Sequence, residues 1–330
     1  MIRAAIVGLG WWGRIIHREL SASDVIRPVL GVEPGAAARE AASAAGLEIV
    51  ERLEEALARR DIEAVILCSP HRHHAEQIAA AAEAGKHVFC EKPLCTGARE
   101  MERVKAAVAK AGVTLGIGHE RRFEPAVADL RRRLADGELG TALLMEGSFS
   151  QDKFFALPPD NWRLSASEAP VGPLSATGIH LVDLSIAMLG KPAEVWARLA
   201  TRGSRFANGD TLGITIGFES GATALLSAIL ATPFIGRMAV YGSRGWMEIR
   251  DRSHPEQPTG WDVTIVHRGE TPATHFVPPH PAVRDNLEAF ARAAAGQAAY
   301  PVSLEEMEAN VRTFEAIVRS AASGRIERII

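Results

Sequence analysis

Glu91-Lys92-Pro93 closes the apolar run His87-Val88-Phe89-Cys90. A lysine set against a proline at the end of a buried strand points at something held above a sheet. About eighty residues upstream, Gly8-Leu9-Gly10-Trp11-Trp12-Gly13 indicates what is held there: a dinucleotide. In such a turn Gly8 permits the tight bend and Gly10 lets backbone N–H groups approach a pyrophosphate. Gly13 allows the following helix to pack closely on its strand. The turn follows a predicted strand and opens a predicted helix, which is the context the fingerprint requires. Trp11 and Trp12 are counted with it as cofactor contacts. Glu33 falls about 20 residues past Gly13, at the end of the second strand, where a carboxylate accepts from the adenosine ribose hydroxyls. It would repel a 2′-phosphate, and Pro34 and Gly35 follow with no arginine. The expected cofactor is therefore NAD, with NADP as the alternative. Ser69-Pro70 ends a further strand near the crevice and is read as lining the same groove. His74 is read as opening a helix beside the nicotinamide end, and Glu91 as either pairing with Lys92 or sitting beneath the strand end.

The elements that must position these residues follow from the pattern of the chain. Short β-branched runs at Arg3–Gly8, Pro28–Glu33, Ala64–Ser69, His87–Glu91 and Thr114–Gly118 alternate with helical stretches. Those lie at Gly13–Leu20, Ala36–Ala45, Leu53–Arg60, His74–Ala84 and Ala98–Ala111. Strands this apolar are buried on both faces, which implies a parallel sheet, and right-handed crossovers make it a doubly wound, Rossmann-type domain. After about residue 120 the rhythm changes. Strand-like runs follow one another at Ala142–Phe149, Glu194–Ala200, Asp210–Phe218, Ala222–Leu230, Arg237–Tyr241, Trp246–Arg250 and Asp262–His267, interrupted by a helix at Leu174–Leu189. This is an α+β pattern with a large, mostly antiparallel open sheet. Two amphipathic helices, Pro281–Ala295 and Ser303–Ser323, complete the chain. The expected domains are therefore 1–120, which binds NAD(P), and 121–330, which is left to bind substrate. Asp152–Pro173 is irregular and carries four prolines, as a functional loop would.

Bulk composition excludes several classes. With 330 residues, 47% apolar and 23% charged, the chain reads as a two-domain globular protein. A net charge of −3 gives no case for nucleic acid or an acidic membrane surface. No apolar run reaches the length of a membrane span. Cys68, Cys90 and Cys95 are an odd set, which suits a reducing cytoplasm better than a disulfide framework. His71, His73, His74 and His119 lack cysteine or carboxylate partners at ligand spacing, so no metal is expected. Arg131-Arg132-Arg133 reads as a solvated helix face.

In order along the chain, Gly8–Gly13, Ser69-Pro70 with His74-Ala75-Glu76, Ala84-Gly85-Lys86-His87-Val88 and Glu91-Lys92-Pro93 resemble the Gfo/Idh/MocA family. Arg121-Arg122-Phe123, Trp162-Arg163, Gly178-Ile179-His180 with Asp183, and Ser320–Arg325 extend the resemblance over nearly the whole chain. It implies a Rossmann domain, a C-terminal domain on a large open sheet and a nicotinamide cofactor. It also implies dimers or tetramers formed through the faces of that sheet. Lys92 corresponds to the family's catalytic lysine and His180 to its catalytic histidine. Many sugar-oxidising members carry an aspartate four residues before the histidine, where this chain has Ala176.

Hydride transfer between an alcohol and nicotinamide needs a group that exchanges the hydroxyl proton, a task for which the pKa of histidine is suited. It also needs positive charge beside the developing alkoxide, which a partly desolvated lysine supplies. His180 and Asp183, three apart on one helix, share a face, so Asp183 is expected either to orient the imidazole or to contact substrate. Arg122, Trp162, Arg163 and His180 are the expected substrate contacts, with Arg163 suited to a carboxylate or several hydroxyls. The expected function is an oxidoreductase acting on a small polar alcohol or carbonyl compound such as a sugar, cyclitol or hydroxylated carboxylate. Two other classes stay open: a glycosidase that retains NAD for transient oxidation, and a dinucleotide-binding regulator without catalysis. The leading reading requires Lys92 and His180, from different domains, to converge beside the nicotinamide ring.

Overall fold

A computed structural model describes residues 1–36, 39 and 47–330. The chain divides into two compact units, one made of Met1–Glu120 with Pro281–Glu308, the other of Arg121–His280 with Ala309–Ile330. The sequence reading left everything after residue 120 in the second domain. The structure instead returns Pro281–Glu308 to the first unit.

The first unit is built on a six-stranded sheet of β1 (Ile2–Val7), β2 (Ile26–Val32), β3 (Glu48–Val50), β4 (Ala64–Leu67), β5 (His87–Cys90) and β6 (Leu115–Ile117). All pairs are parallel, in the order β3-β2-β1-β4-β5-β6. This is the doubly wound order in which ligands bind beyond the carboxyl ends of the strands. Every residue of β4 is buried, as is every residue of β1 except Arg3, in keeping with helices on both faces. The short strand β3 was not expected, and the helix expected at Ala36–Ala45 lies largely outside the described residues.

The returning helix Ala282–Ala294 belongs to this unit because its apolar stripe completes the core: Leu287, Phe290 and Ala291 are buried with Ile16, Leu20 and Phe89. Phe290 meets Phe89 edge-on at 5.6 Å. A Cβ at Gly116 would strike both rings, so β6 carries glycine where the helix presses on the sheet. Tyr300 Oη donates to Asn286 Oδ1 at 2.6 Å, and Asn286 Nδ2 donates to the Ile117 carbonyl at 2.9 Å. Each buried Leu or Phe here contributes roughly 1.5–3 kcal/mol.

The second unit is built on a nine-stranded sheet. Its strands are β7 (Ala142–Ser150), β8 (Pro192–Ala200), β9 (Thr211–Phe218), β10 (Thr223–Ile229), β11 (Ile235–Gly242), β12 (Gly245–Asp251), β13 (Trp261–His267), β14 (Ala273–Val277) and β15 (Glu327–Arg328). The order is β14-β13-β12-β11-β7-β10-β9-β8-β15, antiparallel throughout except for the parallel pair β7/β10. Burial alternates along β9, with Leu212, Ile214, Ile216 and Phe218 inside and Thr211, Gly213, Thr215 and Gly217 partly exposed. One face is therefore covered, by residues that include Val127, Leu130, Leu181, Leu184, Phe314 and Ile317. At the hairpin turn Glu219-Ser220-Gly221 between β9 and β10, Gly221 takes φ +84°.

Candidate active site

In the first unit the glycine turn behaves as its sequence implies. Gly8 has φ +89°, and a Cβ there would lie 2.9 Å from the Cys68 carbonyl group. A Cβ at Gly13 would collide with the Gly8 carbonyl oxygen, whereas one at Gly10 would meet no protein atom within 4 Å. The space beside Gly10 is thus open to a ligand. The helix Trp11–Leu20 starts there with no side chain capping its N-terminus, leaving backbone N–H groups for an anion. Glu33 stands at the end of β2, where Oε2 accepts from the Leu9 N–H at 2.8 Å and Oε1 from the Gly35 N–H at 2.9 Å. Its carboxylate is so fixed against the turn. Trp11 is 41% exposed and meets the Trp12 ring edge-on at 6.5 Å. These features fit a dinucleotide whose pyrophosphate is held by the turn and whose ribose faces Glu33.

At the end of β4, Ser69 Oγ donates to Gln77 and Pro70 precedes a turn over His71–His73. His74 opens the helix His74–Glu83, as its sequence context suggests. Its side chain is wholly buried, with Nδ1 2.7 Å from the Pro93 carbonyl oxygen and Nε2 2.9 Å from that of Ser69. Both ring nitrogens therefore face protein carbonyls. Glu91 lies buried under Gly118, where a Cβ would strike its carboxylate, and it accepts the Lys92 backbone N–H at 3.2 Å. Burial raises its pKa from 4.5 to about 7, against the opposing influence of the Trp12 indole and the Lys92 charge. Lys92 is partly exposed, and the Lys92–Pro93 peptide is cis.

In the second unit a π-helical turn, Leu174–Gly178, leads into the helix Ile179–Leu189, nearly all of which is buried. Thr177 Oγ1 donates to the Phe149 carbonyl at 2.8 Å, anchoring the start of this helix to β7. His180 is 5% exposed, with its ring 5.8 Å from that of Phe149. Asp183 accepts from Arg122 at both carboxylate oxygens, each at 2.7 Å, and the two side chains are almost fully buried. Arg122 therefore directs Nε and Nη2 to Asp183, and Asp183 serves as the arginine's counter-ion, a pairing the sequence reading did not include. Arg121, 2% exposed, binds Glu124 at 3.1 Å and Asp251 at 2.7 Å.

Trp162 and Arg163 occupy a short turn whose cap, Asn161, accepts the Arg163 N–H at 3.1 Å. The Arg163 guanidinium lies 4.4 Å over the Trp162 ring, and burial lowers its pKa. Asn208 holds this irregular stretch, donating from Nδ2 to the carbonyls of Arg163 and Ala169 at 2.8 and 2.9 Å. Asp210 shapes the loop that carries Asn208. Burial opposes its ionisation, but hydrogen bonds from the Arg202 and Gly203 N–H groups and the Ser204 and Thr211 hydroxyls outweigh burial and hold its pKa at about 2.

Sequence reasoning missed a polar and aromatic group next to His180. His254 Nε2 lies 2.8 Å from Gln151 Oε1, and the His254 ring stands 5.8 Å from Phe149 and 5.5 Å from Phe234. No local signal marks them, because His254 comes from the loop between β12 and β13 and reaches the site through the fold alone. Among the described residues no group of three or more His, Cys, Asp or Glu side chains is arranged to hold a metal ion. No described helix is long and apolar enough to cross a membrane. All three cysteines are free thiols, and burial raises the pKa of Cys68 and Cys90.

The parallel sheet, its glycine turn and the carboxylate at the end of β2 define an oxidoreductase of the NAD-binding Rossmann class. Two family profiles match: the oxidoreductase family with NAD-binding Rossmann fold over residues 2–119, and the Gfo/Idh/MocA C-terminal domain over 127–248. The chain belongs to the Gfo/Idh/MocA oxidoreductase family. It is 31% identical over 274 residues to a D-xylose 1-dehydrogenase (NADP(+)) of Haloferax volcanii, covering 82% of each chain. It is 33% identical over 202 residues to the uncharacterized oxidoreductase YrbE of Bacillus subtilis, covering 59% of this chain but only 57% of that protein. The crystal structure of aldose-aldose oxidoreductase from Caulobacter crescentus, complexed with glycerol, superposes with a TM-score of 0.87 at 26% identity, covering 99% of both chains.

Proposed function

We propose that this protein is an NAD(P)-dependent dehydrogenase or reductase that interconverts an alcohol and a carbonyl on a small polyhydroxylated substrate, such as a sugar or cyclitol. The observation that carries this reading is the pairing, within one unit, of an open glycine turn facing Glu33 with a lysine at the carboxyl end of β5. The relationship to a xylose dehydrogenase supports the substrate class. When bound, the nicotinamide supplies the hydride acceptor or donor. Lys92 then sets its ammonium against the developing alkoxide, and His180 exchanges the hydroxyl proton. Arg163, with Trp162 beneath it, offers donors to substrate hydroxyls. Glu33 favours NAD over NADP, since its fixed carboxylate repels a 2′-phosphate.

The first 120 residues with the returning segment form the cofactor unit in this reading, and the second unit binds substrate. We further infer a homodimer or homotetramer through the uncovered face of the nine-stranded sheet. There a cross-strand row of Trp196, Thr215, Leu225 and Glu146 leaves Trp196 and Leu225 39% and 41% exposed.

The test is a screen of sugars, cyclitols and diols with NAD and NADP, followed by the absorbance of the reduced nicotinamide. Lys92→Ala and His180→Ala should each lower turnover by about two to four orders of magnitude while NADH binding stays near normal. Retention of full activity by either variant removes that residue from the reaction.

A further inference from the structure

The contacts of His74 bear on the placement of Lys92. Carbonyl oxygens accept hydrogen bonds and cannot donate them, so each contact of the His74 ring requires hydrogen on the facing nitrogen. A neutral imidazole satisfies one of the two and an imidazolium both. Burial lowers the pKa of the ring; the Pro93 and Ser69 carbonyls and the Glu100 carboxylate act in the opposite sense, and His73 acts with burial. In either state the ring bridges two backbone segments.

Those segments lie immediately beyond adjacent strands. β4 and β5 pair in parallel register as far as Leu67 and Cys90. Past that point the Glu91 N–H still donates to the Leu67 carbonyl at 2.9 Å. Lys92 therefore stands where the sheet has ended. Its own N–H turns back to the Glu91 carboxylate, and Pro93 has no N–H to offer. His74 holds the segment after Lys92 through the Pro93 carbonyl, at 2.7 Å.

We propose that His74 is a positioning residue that ties the Lys92-Pro93 segment to the Ser69-Pro70 segment and so fixes the direction in which the Lys92 side chain leaves the sheet. This rests on the assignment of Lys92 to the reacting centre made above.

The experiment uses His74→Phe, which keeps a ring and removes both hydrogen bonds, and His74→Gln, which keeps an amide donor. Lysines are labelled by reductive methylation with 13C-formaldehyde, and the Lys92 signal is identified by its loss in Lys92→Arg. In folded His74→Phe the Lys92 methyl resonance should move and its titration midpoint shift. On the best substrate of the screen, turnover should fall by up to about a hundredfold, with KM and the Kd for NADH unchanged within about twofold. His74→Gln should recover most of that loss. If His74→Phe does not fold, the Gln variant carries the resonance measurement and should show a smaller displacement of the same signal.

A purely structural role would lower Tm and the active fraction while leaving the Lys92 resonance of the folded protein in place; that result overturns the inference. Full activity of Lys92→Ala would instead overturn the assignment of Lys92, while the resonance comparison still decides whether His74 places it.

Discussion

Replacing Glu91 by glutamine tests whether the floor beneath Lys92 is as dry as its burial implies. Glu91 is 7% exposed, and its pKa is raised from 4.5 to about 7. Between those values the folded protein holds the proton and the unfolded chain has released it. The unfolded state thus binds fewer protons, and stability falls as pH rises through this window. Above about pH 7 both states are ionised and the loss is complete. At about 1.4 kcal/mol per pKa unit, the displacement corresponds to a loss of about 3 kcal/mol. Glutamine has nearly the same shape, still accepts the Lys92 N–H and does not ionise. The stability of Glu91→Gln relative to the parent should therefore rise by about 3 kcal/mol between about pH 4.5 and about pH 8. Urea unfolding of both proteins at the two pH values measures this directly. A difference that stays constant with pH would mean that Glu91 ionises in the fold as readily as in water, and the account of a desolvated strand end would fail.

Two further outcomes follow from the geometry. Arg121→Met strands the buried carboxylates of Glu124 and Asp251 and should cost about 3–5 kcal/mol in urea unfolding, whereas a change below about 1 kcal/mol would show that water reaches them. Glu33→Ala should narrow the preference for NAD over NADP in paired binding titrations, and an unchanged ratio would mean that Glu33 does not face the ribose.

The cofactor half was largely legible because its determinants are local. Gly8, Gly10, Gly13 and Glu33 obey spacing rules set by a single strand–turn–helix unit, and the buried strands declare themselves by continuous apolar runs. Short or exposed elements were not legible. β3 has three residues, and the first four residues of β14 are exposed, so neither offers a pattern to read. The helix Ala282–Ala294 showed an apolar stripe, but a stripe says only that something is covered, not which core; contact between Phe290 and Phe89, about two hundred residues apart, settles that. The pairing of Arg122 with Asp183, 61 residues away, was equally hidden. Arg122 was read as a substrate contact and Asp183 as either orienting His180 or contacting substrate, and neither reading included their ion pair. The same holds for His74, whose partners are backbone carbonyls that no side-chain pattern reveals.

The return of Pro281–Glu308 to the first unit has a consequence for biosynthesis. A ribosome that has released the first 120 residues has made every strand of the parallel sheet, yet not the helix that seals Phe89 and Gly116. Until the segment Pro281–Glu308 has been made, that surface stays open to water and to other nascent chains. The cofactor unit is thus sealed only after strands β7 to β14 of the other unit have been made, and a gene cut after residue 120 would yield a sticky fragment, not a small domain.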